Sequence, residues 1–161
     1  MTAPAPIAML AELTYRCPLS CPYCSNPVEM AAREKEISTE LWVDVFRQAA
    51  GLGVLQLHLS GGEPASRRDL VDLVAGARDA GLYTNLITSA IGLTQRRLAE
   101  LDAAGLDHVQ LSLQGTDADM ADRIGGYNGG FKRKMQAAAW IVEAGFPLTL
   151  NAVVHVGVVS F

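Results

Sequence analysis

Three thiols fall within eight residues, Cys17, Cys21 and Cys24, in the order CxxxCxxC, and the chain has no other cysteine. A disulfide framework wants an even number of cysteines spread along the chain. An odd, clustered set in a reducing compartment reads instead as metal ligands. Three thiolates on one tight loop hold three irons of a cubane cluster and leave the fourth iron open to a further ligand. Pro18 and Pro22 stiffen the loop and remove amide donors, and the remaining N–H groups are free to point at sulfides. Two alternatives stand beside this reading: a zinc site completed by His58 of the next strand, and a labile thiol group.

A second candidate lies at Ser60-Gly61-Gly62-Glu63-Pro64. Adjacent glycines let backbone approach a ligand closely, and their carbonyls accept from an ammonium group. Glu63 is placed to engage the same ammonium, and Pro64 fixes the turn. Alone, such a segment is an ordinary strand-to-helix turn. One strand after CxxxCxxC, it makes a specific combination.

The elements that must position these residues follow from a repeated pattern. Ala50-Gly51-Leu52, Ala80-Gly81-Leu82, Ala104-Gly105-Leu106 and Ala144-Gly145-Phe146 each read as a left-handed helix cap followed by an apolar strand. The strands are 7–14, 54–60, 82–88, 108–113 and 147–154. Helical stripes precede the caps: Leu41, Val45 and Gln48-Ala49 after Ser38 or Thr39; Leu70, Leu73, Val74 and Ala77; Leu98 and Leu101 after Thr94; Met135, Ala138, Ala139 and Val142. The alternation β-α-β-α-β-α-β-α-β predicts an α/β fold, a parallel sheet with right-handed crossovers. Ligands then bind beyond the carboxyl ends of the strands, where all three cysteines fall. Arg67-Arg68, Arg96-Arg97 and Lys132-Arg133-Lys134 read as solvated helix faces, and Trp42 and Trp140 as packing residues. The glycine-rich stretch 125–130 reads as a break in the fourth crossover, because it lacks a GxGxxG or Walker spacing. His108 and His155 read as strand residues.

Composition sets the bounds. With 161 residues, half of them apolar and 19% charged, the chain builds a core and is not disordered. A net charge of −4 argues against a nucleic-acid surface. No apolar run spans a membrane and no basic N-terminal leader precedes an apolar stretch, so the expectation is a cytoplasmic protein with no membrane partner.

The stretch 13–27, LTYRCPLSCPYCSNP, and the stretch 60–70, SGGEPASRRDL, resemble the radical S-adenosylmethionine (radical SAM) superfamily, with Tyr23 in the place of the aromatic before the last cysteine. Their flanking residues resemble the branch that cyclises a precursor peptide in pyrroloquinoline quinone synthesis. The resemblance implies a partial (β/α) barrel and a 4Fe–4S cluster on Cys17, Cys21 and Cys24. It also implies S-adenosylmethionine on the open iron, cleaved reductively to methionine and a 5′-deoxyadenosyl radical; the difficult chemistry is the cofactor's, and which side chains are catalytic is unknown. Gly61, Gly62 and Glu63 would meet the methionine amine. Ser112 or Gln114 would approach the ribose or carboxylate, Arg123 would pair with the carboxylate, and Asn151 and Val153 would flank the adenine. The implied partners are a PqqA-like precursor peptide, a small PqqD-like chaperone and an electron donor such as flavodoxin.

The sequence also departs from that branch. After about five strands no further cap follows, and no cysteine follows Cys24 to hold an auxiliary cluster. Residues 1–161 therefore read as one incomplete core domain without the auxiliary-cluster (SPASM) domain. Turnover by this chain is open, with a non-catalytic cluster- or partner-binding fragment, or a zinc or thiol module, as alternatives.

Overall fold

The structure, a computed structural model, describes residues 4–25 and 36–154. Five strands form one parallel sheet in chain order: β1 (Ala8–Glu12), β2 (Gln56–Ser60), β3 (Tyr83–Thr88), β4 (His108–Leu113) and β5 (Leu148–Ala152). Between them run α1 (Thr39–Gly51), α2 (Leu70–Asp79), α3 (Gln95–Ala104), and the pair α4 (Ala118–Gly125) and α5 (Gly130–Glu143). Side-chain oxygens of Ser38, Thr94 and Asp117 cap α1, α3 and α4, each accepting an amide three residues on.

The strands alternate strictly between two faces. Leu57, Leu59, Leu86, Val109 and Leu111 point to one face and are wholly buried, in one core with Phe46, Leu73, Leu98 and Ile141 of the helices. The other face is polar. There Asn85 Nδ2 donates to Gln110 Oε1 at 3.2 Å and meets His58 Nδ1 at 3.0 Å, and His108 Nε2 meets Thr149 Oγ1 at 2.9 Å. A parallel sheet with helices on one face and polar groups on the other is a partial barrel whose interior is built to be wet. Register brings the carboxyl ends together, with Glu12 opposite Ser60, Thr88 opposite Leu111 and Ser112 opposite Asn151.

Four expectations are corrected. Gly51 belongs to α1, and the left-handed residue of that turn is Gly53, at φ +100°. Helix α1 buries Trp42, Phe46 and Ala49, while Leu41 is exposed. The break expected at 125–130 falls between α4 and α5. At their junction Asp122 accepts from Gly129 N at 2.5 Å and Phe131 N at 2.8 Å, so a carboxylate already occupies the donors an anion would need. The buried face of α5 is Lys134, Ala137 and Ile141, while Met135 and Val142 are exposed. Two of the basic residues read as solvated, Arg67 and Lys134, are buried. His155 and the rest of the tail lie outside the described residues, among which no helix is long and apolar enough to cross a membrane.

Candidate functional site

The cysteine loop leaves β1 on a backbone track that continues the β1–β2 pairing past the sheet. Leu13 N donates to Ser60 O at 2.9 Å, Gly62 N to Thr14 O at 2.6 Å and Glu63 N to Arg16 O at 2.7 Å. Arg67 locks the same segment, donating from Nη1 to Leu13 O at 2.7 Å while its other nitrogens hold Asp69 and Ile37 O. Farther on, Ser20 N donates to Gly125 O at 2.8 Å, and Cys24 N closes a turn on Cys21 O at 3.0 Å. A loop pinned at its root and at Ser20 presents Cys17 and Cys21 with little entropy left to lose.

Cys17, Cys21 and Cys24 line one cavity of about 350 Å³. All five strands contribute to it at or beside their carboxyl ends: Glu12, Ser60, Thr88, Ser112 and Asn151, with Tyr23, Gly61, Gly62, Ser89, Gln114 and Val153 around them. Burial pushes the Cys17 and Cys21 thiols up, and the Lys134 ammonium pulls Cys21 partly back. Burial likewise raises the Tyr23 phenol, with the Cys21 charge adding to it and a hydrogen bond from Gln114 opposing it. Thiolates in such a place need positive charge to balance them, which metal ions supply.

The donor set fits an iron–sulfur cluster with S-adenosylmethionine better than one zinc ion. The three thiols share one cavity with the glycine turn and the strand ends. His58, the candidate fourth zinc ligand, instead pairs with Asn85 across the sheet. Gln114 Oε1 is buried in the cavity wall without a hydrogen-bond partner. A buried acceptor left unpaired costs about 1–3 kcal/mol, and a ligand ammonium or hydroxyl would relieve it.

The expected ligand residues divide. Tyr23, Gly61, Gly62, Ser112, Gln114, Asn151 and Val153 are brought together around the thiols. Glu63 is not. Its carboxylate is 0% exposed. Oε1 accepts from Ala65 N at 2.9 Å and Thr88 Oγ1 at 2.6 Å, and Oε2 from Ser89 N at 2.7 Å and from the Ser89 hydroxyl. With four donors in place it fastens the glycine turn to the end of β3 and leaves nothing for an ammonium. Arg123 is exposed and outside the cavity, because α4 buries Ala121, Ile124 and Gly125 and so carries residue 123 on the far side. The glycines serve the protein's own backbone first. A Cβ on Gly61 would stand 2.3 Å from Thr14 O, and one on Gly62 2.4 Å from Arg16 O.

Sequence reasoning missed that the strand-end stretch 88–90 is clamped to Glu63. Thr88 Oγ1 accepts from Ala90 N at 2.8 Å, and Ala90 holds a left-handed φ of 60°, a strained setting for a residue with a Cβ. The signal available was Thr88-Ser89 at the carboxyl end of a strand, one unit on from an acid in a strand-end turn.

Residues 11–159 match the Radical SAM superfamily. The chain is 68% identical over 155 residues to a PqqA peptide cyclase of Ruegeria pomeroyi, covering 96% of this chain and 41% of that protein. It is 64% identical over 150 residues to one of Rhizobium meliloti, covering 93% and 40%. The chain thus spans about two-fifths of the length of these curated relatives. Among solved structures, Streptococcus suis SuiB bound to S-adenosylmethionine superposes with a TM-score of 0.81 at 23% identity, over 91% of this chain and 34% of that one. SuiB bound to its precursor peptide SuiA gives 0.80 at 24% identity, over 91% and 33%. A family match over nearly the whole length, on a half-barrel that gathers CxxxCxxC and the glycine turn at one mouth, leaves a single conclusion: the chain belongs to the radical SAM superfamily, whose cofactors are a 4Fe–4S cluster and S-adenosylmethionine.

Proposed function

We propose that this chain carries the S-adenosylmethionine site of a PqqA peptide cyclase. Such an enzyme joins a Glu side-chain carbon to a Tyr ring in a precursor peptide, on the way to pyrroloquinoline quinone. The observation that carries the reading is the shared cavity, three thiols and the ends of all five strands around one space, in a chain 68% identical to its Ruegeria relative. Bound there, cluster and S-adenosylmethionine supply one-electron cleavage of a sulfonium bond and, from it, hydrogen abstraction from substrate. Cys17, Cys21 and Cys24 hold the cluster. Gly61 and Gly62 set the turn beside it. Gln114 offers its unpaired oxygen to the ligand's ammonium or ribose, with Tyr23, Ser112, Asn151 and Val153 completing the wall. The polar sheet interior, with Asn85 and Gln110, keeps solvent dipoles within reach of a peptide's polar groups. Residues 1–161 act as the core domain, with a PqqA-like peptide as substrate, a PqqD-like chaperone presenting it and a flavodoxin-type donor supplying electrons.

Anaerobic reconstitution tests this directly. The expected result is about four irons and four sulfides per chain, and an electron paramagnetic resonance signal that changes when S-adenosylmethionine is added. With a strong reductant present, 5′-deoxyadenosine should form from S-adenosylmethionine. One zinc per chain, or a signal indifferent to S-adenosylmethionine, overturns the reading.

A further inference from the structure

Lys134 is the buried cation that the site, as described so far, does not use. It is 2% exposed although it lies on a helix between Arg133 and Met135, both exposed. Its Nζ donates to Ser89 O at 3.0 Å and to Ser112 O at 2.9 Å. Those carbonyls belong to the ends of β3 and β4, and both residues line the cysteine cavity, whereas Lys134 does not. The ammonium therefore sits behind the wall, out of reach of solvent. An ammonium has three hydrogens, and no described residue accepts the third. Burying a lysine costs several kcal/mol unless its charge is balanced. Two neutral carbonyls balance it only in part, and the carboxylates that act on it, Glu63 and Asp122, are already held by other donors.

We propose that Lys134 is a positioning residue for the cluster, a fixed positive charge behind the β3–β4 wall that stabilises the electron-loaded cluster and holds the Ser89 and Ser112 carbonyls in place. This rests on Cys17, Cys21 and Cys24 holding that cluster. Charge near an iron–sulfur cluster sets its potential, and a positive one favours the reduced form. Burial brings the Lys134 ammonium down to about 8, with Glu63 and Cys21 opposing the fall, so it keeps its charge at neutral pH.

The test compares Lys134→Gln and Lys134→Arg with the parent chain, each reconstituted anaerobically and titrated against redox mediators with the reduced cluster read by electron paramagnetic resonance. Gln keeps a donor but no charge. It should cut the reduced-to-oxidised ratio at fixed potential about tenfold, equivalent to about 59 mV for one electron. Arg should stay within twofold of the parent. Loss of the cluster in the Gln variant alone also supports the charge. Unchanged potentials in both variants, or equal shifts or equal iron loss in both, overturn it and leave Lys134 as packing. Iron and sulfide analysis of the parent chain separates the two readings: without iron there the cluster assignment fails and this inference with it, whereas full iron with unmoved potentials sinks Lys134 alone.

Discussion

The Glu63 carboxylate takes both the amide and the hydroxyl of Ser89, twenty-six residues away, on one oxygen. The glycine turn after β2 is thereby fastened to the end of β3, and the cysteine loop, which runs on that turn's backbone, is fastened with it. An acid that looked placed to meet an amino group is instead the bolt of the site. Glu63→Gln puts an amide N–H₂ against donors. The unliganded chain should lose about 1–3 kcal/mol of stability in denaturant titration, before any cofactor is added. A variant that unfolds like the parent yet binds S-adenosylmethionine poorly would restore the direct contact.

Gly62 makes a related prediction. Since a Cβ there would stand 2.4 Å from Arg16 O and 2.7 Å from Tyr15 O, Gly62→Ala must push the segment that leads into Cys17. Iron content and S-adenosylmethionine affinity should fall together, with most of the iron lost on desalting. Full iron with at least tenfold weaker S-adenosylmethionine binding, about 1.4 kcal/mol, would mean that the glycine serves the ligand alone.

What the sequence made legible, and what it hid, divides along one physical line. Strand β4 falls at residues 108–113 as its apolar run predicts, and the caps at Gly81, Gly105 and Gly145 are left-handed, because local pattern and backbone chemistry decide them. The cysteines and strand-end residues come together because a parallel sheet brings every carboxyl end to one side. Several of the differences are buried charges. Helix α5 turns Lys134 inward rather than Met135, a placement that apolar spacing does not mark. Arg67 and Glu63 looked like solvent or ligand groups because their partners, Leu13 O and Ser89, are distant in sequence. Periodicity marks apolar faces, and a charge satisfied by long-range backbone leaves no period. Arg123 failed differently: α4 is short, and its rotation is set by Ala121 and Ile124 packing inward.

The thiols differ in access, and that difference is measurable without iron. Cys24 is exposed, while Cys17 and Cys21 are half-buried with thiols pushed above the ordinary 9.0 by desolvation. In the apo chain iodoacetamide should modify Cys24 first at pH 8, with Cys17 and Cys21 still accelerating as pH passes 9, because the thiolate is the nucleophile. Peptide mapping of the alkylated sites checks the order. In the reconstituted protein all three should be protected, and replacing any one with Ala should remove most of the iron, since two thiolates do not hold the cubane.

Acid should loosen the site from behind. Arg67 bonds Asp69 at 2.6 and 3.0 Å, and those hydrogen bonds, with one from Thr39 Oγ1 at 2.6 Å, bring the Asp69 carboxyl from 3.8 down to about 2. The folded value lies below the unfolded one, so the unfolded chain binds more protons between them and stability rises with pH in that window. The contribution is whole above about pH 4 and is lost as pH falls towards 2. Arg67 also holds Leu13 O, at the root of the cysteine loop, so the loop should loosen along with the pair. Denaturant midpoints of the apo chain between pH 5 and pH 2 should fall more steeply for the parent than for Asp69→Asn, which has no proton to gain there. Parallel slopes for the two chains would show that Asp69 and Arg67 do not carry this part of the acid sensitivity.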